Sequence, residues 1–461
     1  MFDKNFLWGT ASSSYQIEGA FAEDGKGVSI WDTFSNKPGN IAHNENGNEA
    51  CDHYHRYRED IVLMKSLGIQ AYRFSISWTR IFPDGIVKDS DGNVNFNKAG
   101  LDFYDNIVNC CLENGIEPFI TLYHWDLPQA LEDNGGWLNR QTAYIFADYA
   151  EFICEHFSDR VVNIATINEP QIISGLGYMN GLHAPGKKLD CISVLSVIHH
   201  LALAHGLAVA KMRAVAKQPI KTGFSSTGDL CFPASECDED IDAARAESFK
   251  IVTGNMTFNH TIFCDMTCLG RYPDIAGTGL HLEKGLEKIG HYKELPFVKD
   301  GDSELMYQPI DFLGINVYNG HEVSVTGHIK KKPGSPRTAL GWPVTPGVMN
   351  YGIRYMYERY NLPIYIFEDG LACNDIISLD GKVHDSNRID FLTRYLTDLE
   401  KAYKAGVPIL GYFHWSFTDN FEWHSGYDPR FGLIYVDYET QQRIPKDSAY
   451  WYSDLIKKSS N

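Results

Sequence analysis

The chain has 461 residues, 44% of them hydrophobic and 22% charged, a balance typical of globular enzymes that excludes disorder as the main state. The 59 acidic and 41 basic residues give a formal net charge of −18, which argues against generic nucleic-acid binding because an acidic chain repels phosphate backbones. No polybasic run indicates a membrane surface as a partner either.

Eight short runs along the chain have the alternating or continuously apolar character of β-strands. In chain order they are 6–12, 71–78, 117–124, 161–169, 221–227, 311–318, 363–368 and 407–416. Stretches with apolar residues three or four positions apart lie between them, and this spacing predicts helices. Clear examples are found at 54–64, 101–111 and 392–403.

Apolar strands that alternate with helices predict a parallel sheet covered on both faces. Eight such units suggest closure into a single (β/α)₈ barrel, a TIM barrel of the α/β class. Although length alone suggests about three domains, no linker or composition break divides the chain, so we expect one domain over 1–461. The excursions at 229–310 and 319–345 are expected to be long rim loops with extra helices.

The opening segment MFDKNFLWGTASSSYQ has no charged stretch followed by an apolar core, so we expect no signal peptide. No run approaches about 18 apolar residues, so no membrane span is expected. Of ten cysteines, Cys111 and Cys154 stand in apolar helical contexts and are predicted to be buried free thiols. Cys264 and Cys268 lack a second Cys/His pair nearby, which disfavours a metal site. These features favour a soluble, reduced, cytoplasmic protein.

Polar and aromatic side chains end several of the predicted strands, where a barrel concentrates its chemistry. They are His124, Trp125, Asn168, Glu169, Asn316, Tyr318, Glu368 and Trp415. Amides and carboxylates exchange hydrogen bonds with hydroxyl groups, and indole rings stack on the C–H faces of sugars. The strand ends therefore predict a sugar-binding cup, consistent with an aromatic content of 13%.

Ordered sequence blocks along the whole chain carry a family resemblance. They include FLWGTASSSYQIEG, WDTFS, RFSISWTRIFP, LYHWDLPQAL, INEP, LPIYI, DNFEW, FGLIYVDY and SAYWY. On these blocks the chain resembles the retaining β-glucosidases of glycoside hydrolase family one. The resemblance implies a (β/α)₈ fold and hydrolysis of terminal non-reducing β-D-glucosyl residues from oligosaccharides or aryl glucosides. It implies no metal or cofactor, no nucleic-acid or membrane partner, and allows a homo-oligomer.

The same resemblance assigns the two catalytic carboxylates. Glu169, in Asn-Glu-Pro, matches the general acid/base, and Glu368 matches the nucleophile that forms a covalent glycosyl-enzyme intermediate. Retaining enzymes hold these groups about 5–5.5 Å apart. Ionised Glu368 is expected to raise the pKa of Glu169, and that pKa should fall once Glu368 is esterified.

Other family positions map onto supporting and sugar-binding residues. Arg73 and Tyr318 match groups that hold the nucleophile, and Asn168 matches the amide that binds the sugar 2-hydroxyl. The positions expected to contact substrate are Gln16, His124, Trp125, Asn168, Asn316, Trp342, Trp415, Glu422, Trp423 and Phe431. Packing is a competing interpretation for Trp342 at the rim and for Phe431.

Four positions depart from the usual family pattern. Phe367 and Asp369 flank the nucleophile in place of Thr and Asn, and the extra carboxylate is expected to affect its pKa. Ile167 replaces a Phe in the acid/base block, a tolerable apolar exchange. Thr227 stands where Asn is common, which leaves contacts to the leaving group unassigned.

Three alternatives stay open at this point. A non-catalytic sugar-binding barrel is disfavoured because both carboxylates are present, and a metal-dependent hydrolase because no His-x-His or Glu/His cluster ends a strand. An enzyme for 6-phosphoglucosides would need a cationic side chain after strand eight to bind the phosphate. This chain has Glu422 there and no lysine before Lys446. The sequence leaves open glucose against galactose or fucose, the leaving group, the oligomeric state, glucose inhibition and the pH optimum.

Overall fold

The computed structural model describes residues 2–251, 256–275 and 291–460. Eight parallel strands form a closed barrel in which each strand pairs with its neighbours in sequence and the last pairs with the first. The strands are β1 (Leu7–Ala11), β2 (Ala71–Ser75), β3 (Glu117–Tyr123), β4 (Asn163–Asn168), β5 (Lys221–Ser226), β6 (Leu313–Asn316), β7 (Ile364–Asp369) and β8 (Ile409–Trp415). All eight predicted strands and the predicted (β/α)₈ fold are confirmed.

Helices connect the strands and cover the outside of the barrel. The α-helices are Ser14–Ile17, Ile30–Ser35, His53–Ser66, Trp78–Ile81, Lys98–Glu113, Gln129–Asp133, Gln141–Phe157, Pro170–Ile172, Cys191–Val215, Asp238–Ser248, Thr261–Cys268, Asp302–Met306, Gly347–Tyr360, Ser386–Lys404 and Asp447–Ser460. A π-helix follows at Ile173–Met179, and 3₁₀ turns lie at Ala42–Asn44, Gly136–Leu138, Tyr292–Glu294 and Trp423–Ser425. The three segments with clear helical spacing are therefore helical, as predicted.

The interior of the barrel is filled by aromatic rings. Phe119, Phe312, Tyr365, Phe367 and Phe413 are buried in one cluster with ring centroids 4.9–6.1 Å apart for the contacting pairs. Because side chains alternate along a strand, residues one position away point outward to the helices. The cluster forms a solid floor beneath the carboxyl ends of the strands, so any ligand must bind above it.

One helix, Cys191–Val215, is unusually apolar along its length. By length and composition it could cross a membrane, although no such segment is expected from the sequence. In the structure, 78% of its most apolar 18-residue window is buried, and it packs against the helix Gln141–Phe157. A helix covered by protein on most sides is apolar all round, which explains its composition.

The predicted rim excursions contain short elements that the sequence does not reveal. Strands Cys231–Pro233, His321–Ser324 and Gly327–His328 of these excursions form a small sheet. Outside the excursions, Ile434–Asp437 pairs with Gln442–Pro445. Residues 252–255 and 276–290 of the first excursion lie outside the described residues.

The structure describes all ten cysteines, and none is in a disulfide. Cys111 and Cys154 are buried free thiols, as predicted. Cys264 donates to Ser226 Oγ at 3.3 Å. Among the described residues, no three His, Cys, Asp or Glu side chains are grouped so as to hold a metal ion.

Candidate active site

The two predicted catalytic carboxylates lie at the carboxyl ends of β4 and β7. Glu169 follows the last residue of β4 and has a left-handed backbone conformation, with φ of 49°. Its amide nitrogen donates to Ser225 O at 2.9 Å, which links this turn to β5. Pro170 then opens a helix, and a proline cannot continue the strand pairing because it has no N–H. Glu368 lies within β7 next to the end of β6.

Glu368 is buried and held by two charged or polar groups. Arg73 Nη1 donates to Oε1 at 2.7 Å, and the Tyr318 hydroxyl donates to Oε2 at 2.7 Å. Burial raises the pKa of Glu368, while Arg73, Tyr318 and Asn316 act to lower it. These donors favour the ionised carboxylate that a nucleophile requires.

Glu169 is also buried, but it has no cationic partner in direct contact among the described residues. Asn316 Nδ2 donates to Oε1 at 2.8 Å. Burial, followed by the negative charge of Glu368, raises the pKa of Glu169 well above its ordinary value. The proton shared by this pair therefore resides on Glu169, the arrangement that an acid beside a nucleophile needs.

Arg73 connects the nucleophile to the sugar-binding amide. Its Nη2 donates to Asn168 Oδ1 at 2.5 Å and its Nε to Thr121 Oγ1 at 3.1 Å. The guanidinium carbon lies 4.8 Å from the centroid of the Phe367 ring, in a cation–π contact. Hydrogen bonds along its edge and the Phe367 ring against its face therefore fix the orientation of the guanidinium group.

Asn168 has a defined amide orientation because Arg73 can only donate. Its Nδ2 lies 3.1 Å from His124 Nε2, which must then accept, and Trp125 Nε1 donates to its main-chain oxygen at 2.9 Å. Burial, with a smaller contribution from Arg73, lowers the pKa of His124 well below its ordinary value, so the imidazole is neutral. Its buried Nδ1 has no hydrogen-bond partner among the described residues and carries the ring proton.

The loop after β8 brings the remaining polar groups to the same place. Gln16 Nε2 donates to Asn420 Oδ1 at 3.0 Å, to Phe421 O at 2.9 Å and to Glu422 Oε2 at 3.4 Å. Burial and the charge of Glu368 raise the pKa of Glu422 to about 8. This carboxyl is therefore largely protonated near neutral pH, which the sequence does not predict.

Aromatic residues line the sides of the site. The ring centroids of Trp125 and Trp423 lie 4.4 Å apart, and the Trp415 ring stacks on the His124 ring with centroids 5.9 Å apart. On the opposite side, Tyr318 lies 5.4 Å from the partly buried Trp342 and 5.9 Å from buried Phe431. The structure thus brings all the residues proposed from the sequence to one end of the barrel.

Comparisons with known proteins identify the family of the chain. The model of Glycosyl hydrolase family 1 matches residues 1–461. The chain belongs to glycosyl hydrolase family 1. Beta-glucosidase A of Thermotoga maritima is 43% identical over 99% of this chain and 98% of that protein. A bifunctional beta-D-glucosidase/beta-D-fucosidase of Bifidobacterium breve is 40% identical over 100% and 99%.

Solved structures of the family agree as well. The beta-glucosidase of Thermotoga maritima in complex with glucoimidazole superposes with a TM-score of 0.87 at 42% identity, covering 100% of this chain and 99% of that one. The predicted family is confirmed, and the protein is a glycoside hydrolase.

The departures from the family pattern have structural explanations. Phe367 completes the aromatic floor and supports Arg73 from below. Asp369 is fully buried and accepts from the Tyr412 hydroxyl at 2.8 Å, on the side of the strand away from the pocket. Burial raises the pKa of Asp369 well above its ordinary value. Its neutral form is favoured, so the expected extra charge beside the nucleophile is suppressed.

Several residues at the site were not identified from the sequence. Thr121 contacts Arg73, Ser225 donates to Asn316 Oδ1 at 2.6 Å, and Asn420 accepts from Gln16. A hydroxyl residue within the apolar stretch of β3 is the signal that marks Thr121, whereas β5 has three hydroxyl residues and its sequence does not single out Ser225. Asn420 has no such signal, because its partner is 404 positions away.

Proposed function

We propose that this family 1 enzyme is a retaining β-glucosidase. It removes terminal, non-reducing β-D-glucosyl residues from short oligosaccharides or aryl glucosides, with Glu368 as nucleophile and Glu169 as general acid/base. The proposal rests on the different environments of the two glutamates. Glu368 is held by donors that favour its ionised form, while burial and the charge of Glu368 favour the protonated form of Glu169.

In the first step, a Glu368 oxygen attacks the anomeric carbon and forms an ester bond to the sugar. The bond from that carbon to the leaving oxygen breaks, and Glu169 transfers its proton to this oxygen. Arg73 releases no proton in this step and instead orients the attacking carboxylate through its 2.7 Å contact. The products are the free alcohol or phenol and the glycosyl-enzyme.

In the second step, Glu169 acts as a base. Once Glu368 is esterified, its negative charge is gone and the pKa of Glu169 falls. Glu169 then removes a proton from water, whose oxygen attacks the anomeric carbon and displaces Glu368. Two inversions give net retention.

The contacts of Asn316 support retention over inversion. Its amide nitrogen lies 2.8 Å from Glu169, and its interaction with Glu368 lowers the pKa of that carboxyl. Two carboxyl groups within reach of a single amide fit the separation of about 5–5.5 Å in retaining enzymes better than the ~6.5–9.5 Å of inverting ones.

Groups with unused hydrogen-bonding capacity support binding of a sugar. The Nδ1–H of His124 is available to a hydroxyl group, and Glu422 offers both a donor and an acceptor. Trp415 and Trp423 present flat apolar surfaces beside them. Glucose is the sugar proposed here because Beta-glucosidase A of Thermotoga maritima is so named. The name of the Bifidobacterium breve relative adds fucosides to the panel that should be assayed.

Turnover of 4-nitrophenyl β-D-glucoside by the wild type tests the proposal. Glu368→Ala should lose at least about 10⁴-fold in kcat, and azide should restore activity by forming the α-glucosyl azide. Anomeric proton signals recorded early in the wild-type reaction should show β-glucose first. Glu113→Gln, at an exposed helix position, is the control and should retain full activity. Sugar binding without turnover, or α-glucose as the first product, would overturn the proposal.

A further inference from the structure

We infer that Ser225 is a positioning residue for the general acid/base: its hydroxyl fixes the amide orientation of Asn316, and the Asn316 amide in turn directs an N–H group at Glu169. The inference rests on the proposed function, since it concerns how the acid/base of that reaction is held. Ser225 contacts neither catalytic carboxyl directly and acts through Asn316.

The orientation of the Asn316 amide follows from its neighbours. Its Nδ2 faces Asn168 Oδ1 at 3.2 Å and Glu169 Oε1 at 2.8 Å. Asn168 Oδ1 is an acceptor because Arg73 donates to it. The group that Asn316 presents on this side must therefore be the NH₂, and its carbonyl oxygen must face the other way.

Ser225 supplies the donor that the carbonyl oxygen needs. Its hydroxyl lies 2.6 Å from Asn316 Oδ1, and both residues are fully buried. The Thr227 hydroxyl donates to the main-chain oxygen of Asn316 at 3.2 Å, so the carboxyl end of β5 holds both the side chain and the backbone of this residue. Ser226 lies between Ser225 and Thr227 in the sequence, and its hydroxyl forms hydrogen bonds with His260 and Gln171 on the other side of the strand.

Loss of the Ser225 hydroxyl would remove one of the two contacts that select this orientation and leave Asn168 Oδ1 alone to oppose rotation of the amide. A buried amide oxygen without a donor is costly, and rotation of the amide by 180° would turn that oxygen toward Glu169. An oxygen at that position accepts from the protonated carboxyl and repels the carboxylate. The pKa of Glu169 should then rise further, which favours the acid of the first step and weakens the base of the second.

Kinetics across pH test this inference with Ser225→Ala. For 4-nitrophenyl β-D-glucoside, the alkaline limb of kcat/KM should move up by about half to one pH unit. For 2,4-dinitrophenyl β-D-glucoside, whose good leaving group makes the second step limiting, kcat should fall about fivefold near neutral pH. Ser225→Thr, which keeps a hydroxyl, should restore the wild-type profile. Ser248→Ala is the matched control, because it removes a buried serine hydroxyl at the end of the helix Asp238–Ser248.

A direct titration separates this inference from the proposed function. In protein labelled with ¹³C at the glutamate carboxyls, the Glu169 signal is identified by its loss in Glu169→Gln. Its pKa should rise by about half to one unit in Ser225→Ala and stay unchanged in Ser248→Ala. If Ser225→Ala does not fold, Ser225→Cys keeps a similar volume with only a weak donor and should shift the pKa in the same direction. An unchanged Glu169 pKa would overturn the role of Ser225, whether or not the wild type hydrolyses glucosides; absence of wild-type turnover would overturn only the proposed function.

Discussion

At the scale of single residues, Asp369 shows how burial sets a charge state. The side chain is fully buried, and its Oδ1 has no hydrogen-bond partner among the described residues. Burial raises the pKa of Asp369 in the folded protein well above the ordinary aspartate value that the unfolded chain keeps. At a pH between the unfolded and the folded pKa, the unfolded chain has lost the Asp369 proton and the folded chain still holds it. The free energy of unfolding therefore falls as pH rises.

Asp369→Asn should therefore be more stable than the wild type at neutral pH and equal to it below about pH 4. The difference in unfolding free energy should grow with pH at up to about 1.4 kcal/mol per unit until the native pKa is reached. Urea unfolding at several pH values between 4 and 8 measures it. The exposed Asp91→Asn is the control, and a difference that does not change with pH would contradict the prediction.

Glu422 gives a second prediction at this scale, on phosphorylated substrates. Its pKa of about 8 reduces the direct repulsion of a phosphate, but no lysine or arginine of the described residues forms an ion pair with Glu422 that would mark a cation able to compensate a buried dianion. Lys446 Nζ is fully buried and lies 2.6 Å from both Asp419 Oδ1 and Asp375 Oδ2, so it is committed elsewhere. β-Glucosides should be preferred over their 6-phosphates by at least about 100-fold in kcat/KM. Both are assayed on one preparation, and equal efficiencies would show that another group binds the phosphate.

At the scale of elements, the loop after β8 is held by a buried ionic network. Asp419 accepts from Lys446 and, at 2.7 Å, from Arg430, while Arg388 and Lys446 both donate to Asp375. This network joins the loops after β7 and β8, and the second of these loops carries Glu422. The position of a sugar-binding group thus depends on charges outside the pocket.

Lys446→Met should weaken both stability and substrate binding. Removal of one partner from a buried ion pair costs about 3–5 kcal/mol because the other charge is left unpaired. Since the loop bearing Glu422 loses an anchor, KM for the glucoside should rise more than kcat falls. Urea unfolding and steady-state kinetics measure the two effects. Exposed Lys404→Met should change neither. An unchanged KM in Lys446→Met would show that the ionic network does not position the loop that carries Glu422.

The elements that sequence analysis predicts are those with a local signal. The eight barrel strands are recognised as alternating or apolar runs, and the polar residues at the ends of two of them mark the site at Glu169 and Glu368. The small sheet at Cys231–Pro233 and His321–Ser324 is missed because its strands have three or four residues and pair across a long separation. Charge states such as that of Glu422, and relays such as that from Ser225, depend on burial and on contacts between strands, which no local pattern encodes.

At the scale of the whole molecule, the barrel depends on the pairing of β1 with β8, the seam at which the sheet closes. β1 pairs with both β8 and β2, and the Tyr452 hydroxyl, from the C-terminal helix Asp447–Ser460, donates to Gly9 O at 2.9 Å. Trp8 packs against Tyr452 at 5.9 Å on the outside of this seam. Every other strand pair can form between neighbours in sequence, but this one requires the full chain.

Gly9→Ala tests how strongly closure controls the whole fold. A Cβ at this position would lie 2.5 Å from the Phe413 ring and 2.9 Å from Ala71 O, so β1 could not keep its place between β2 and β8. Overpacking of this kind typically costs about 1–3 kcal/mol, and we expect a loss near the upper end because one of the contacts is backbone. Since the seam closes the barrel, far-UV circular dichroism, tryptophan fluorescence and glucosidase activity should all be lost at the same, lower urea concentration. Gly92→Ala is the comparison: its Cβ meets no neighbour and carries only the backbone strain of a φ of 82°, so it gives the cost of an added methyl group without a clash. Separate transitions for activity and for secondary structure would show instead that the seam can open while the rest of the barrel stays folded.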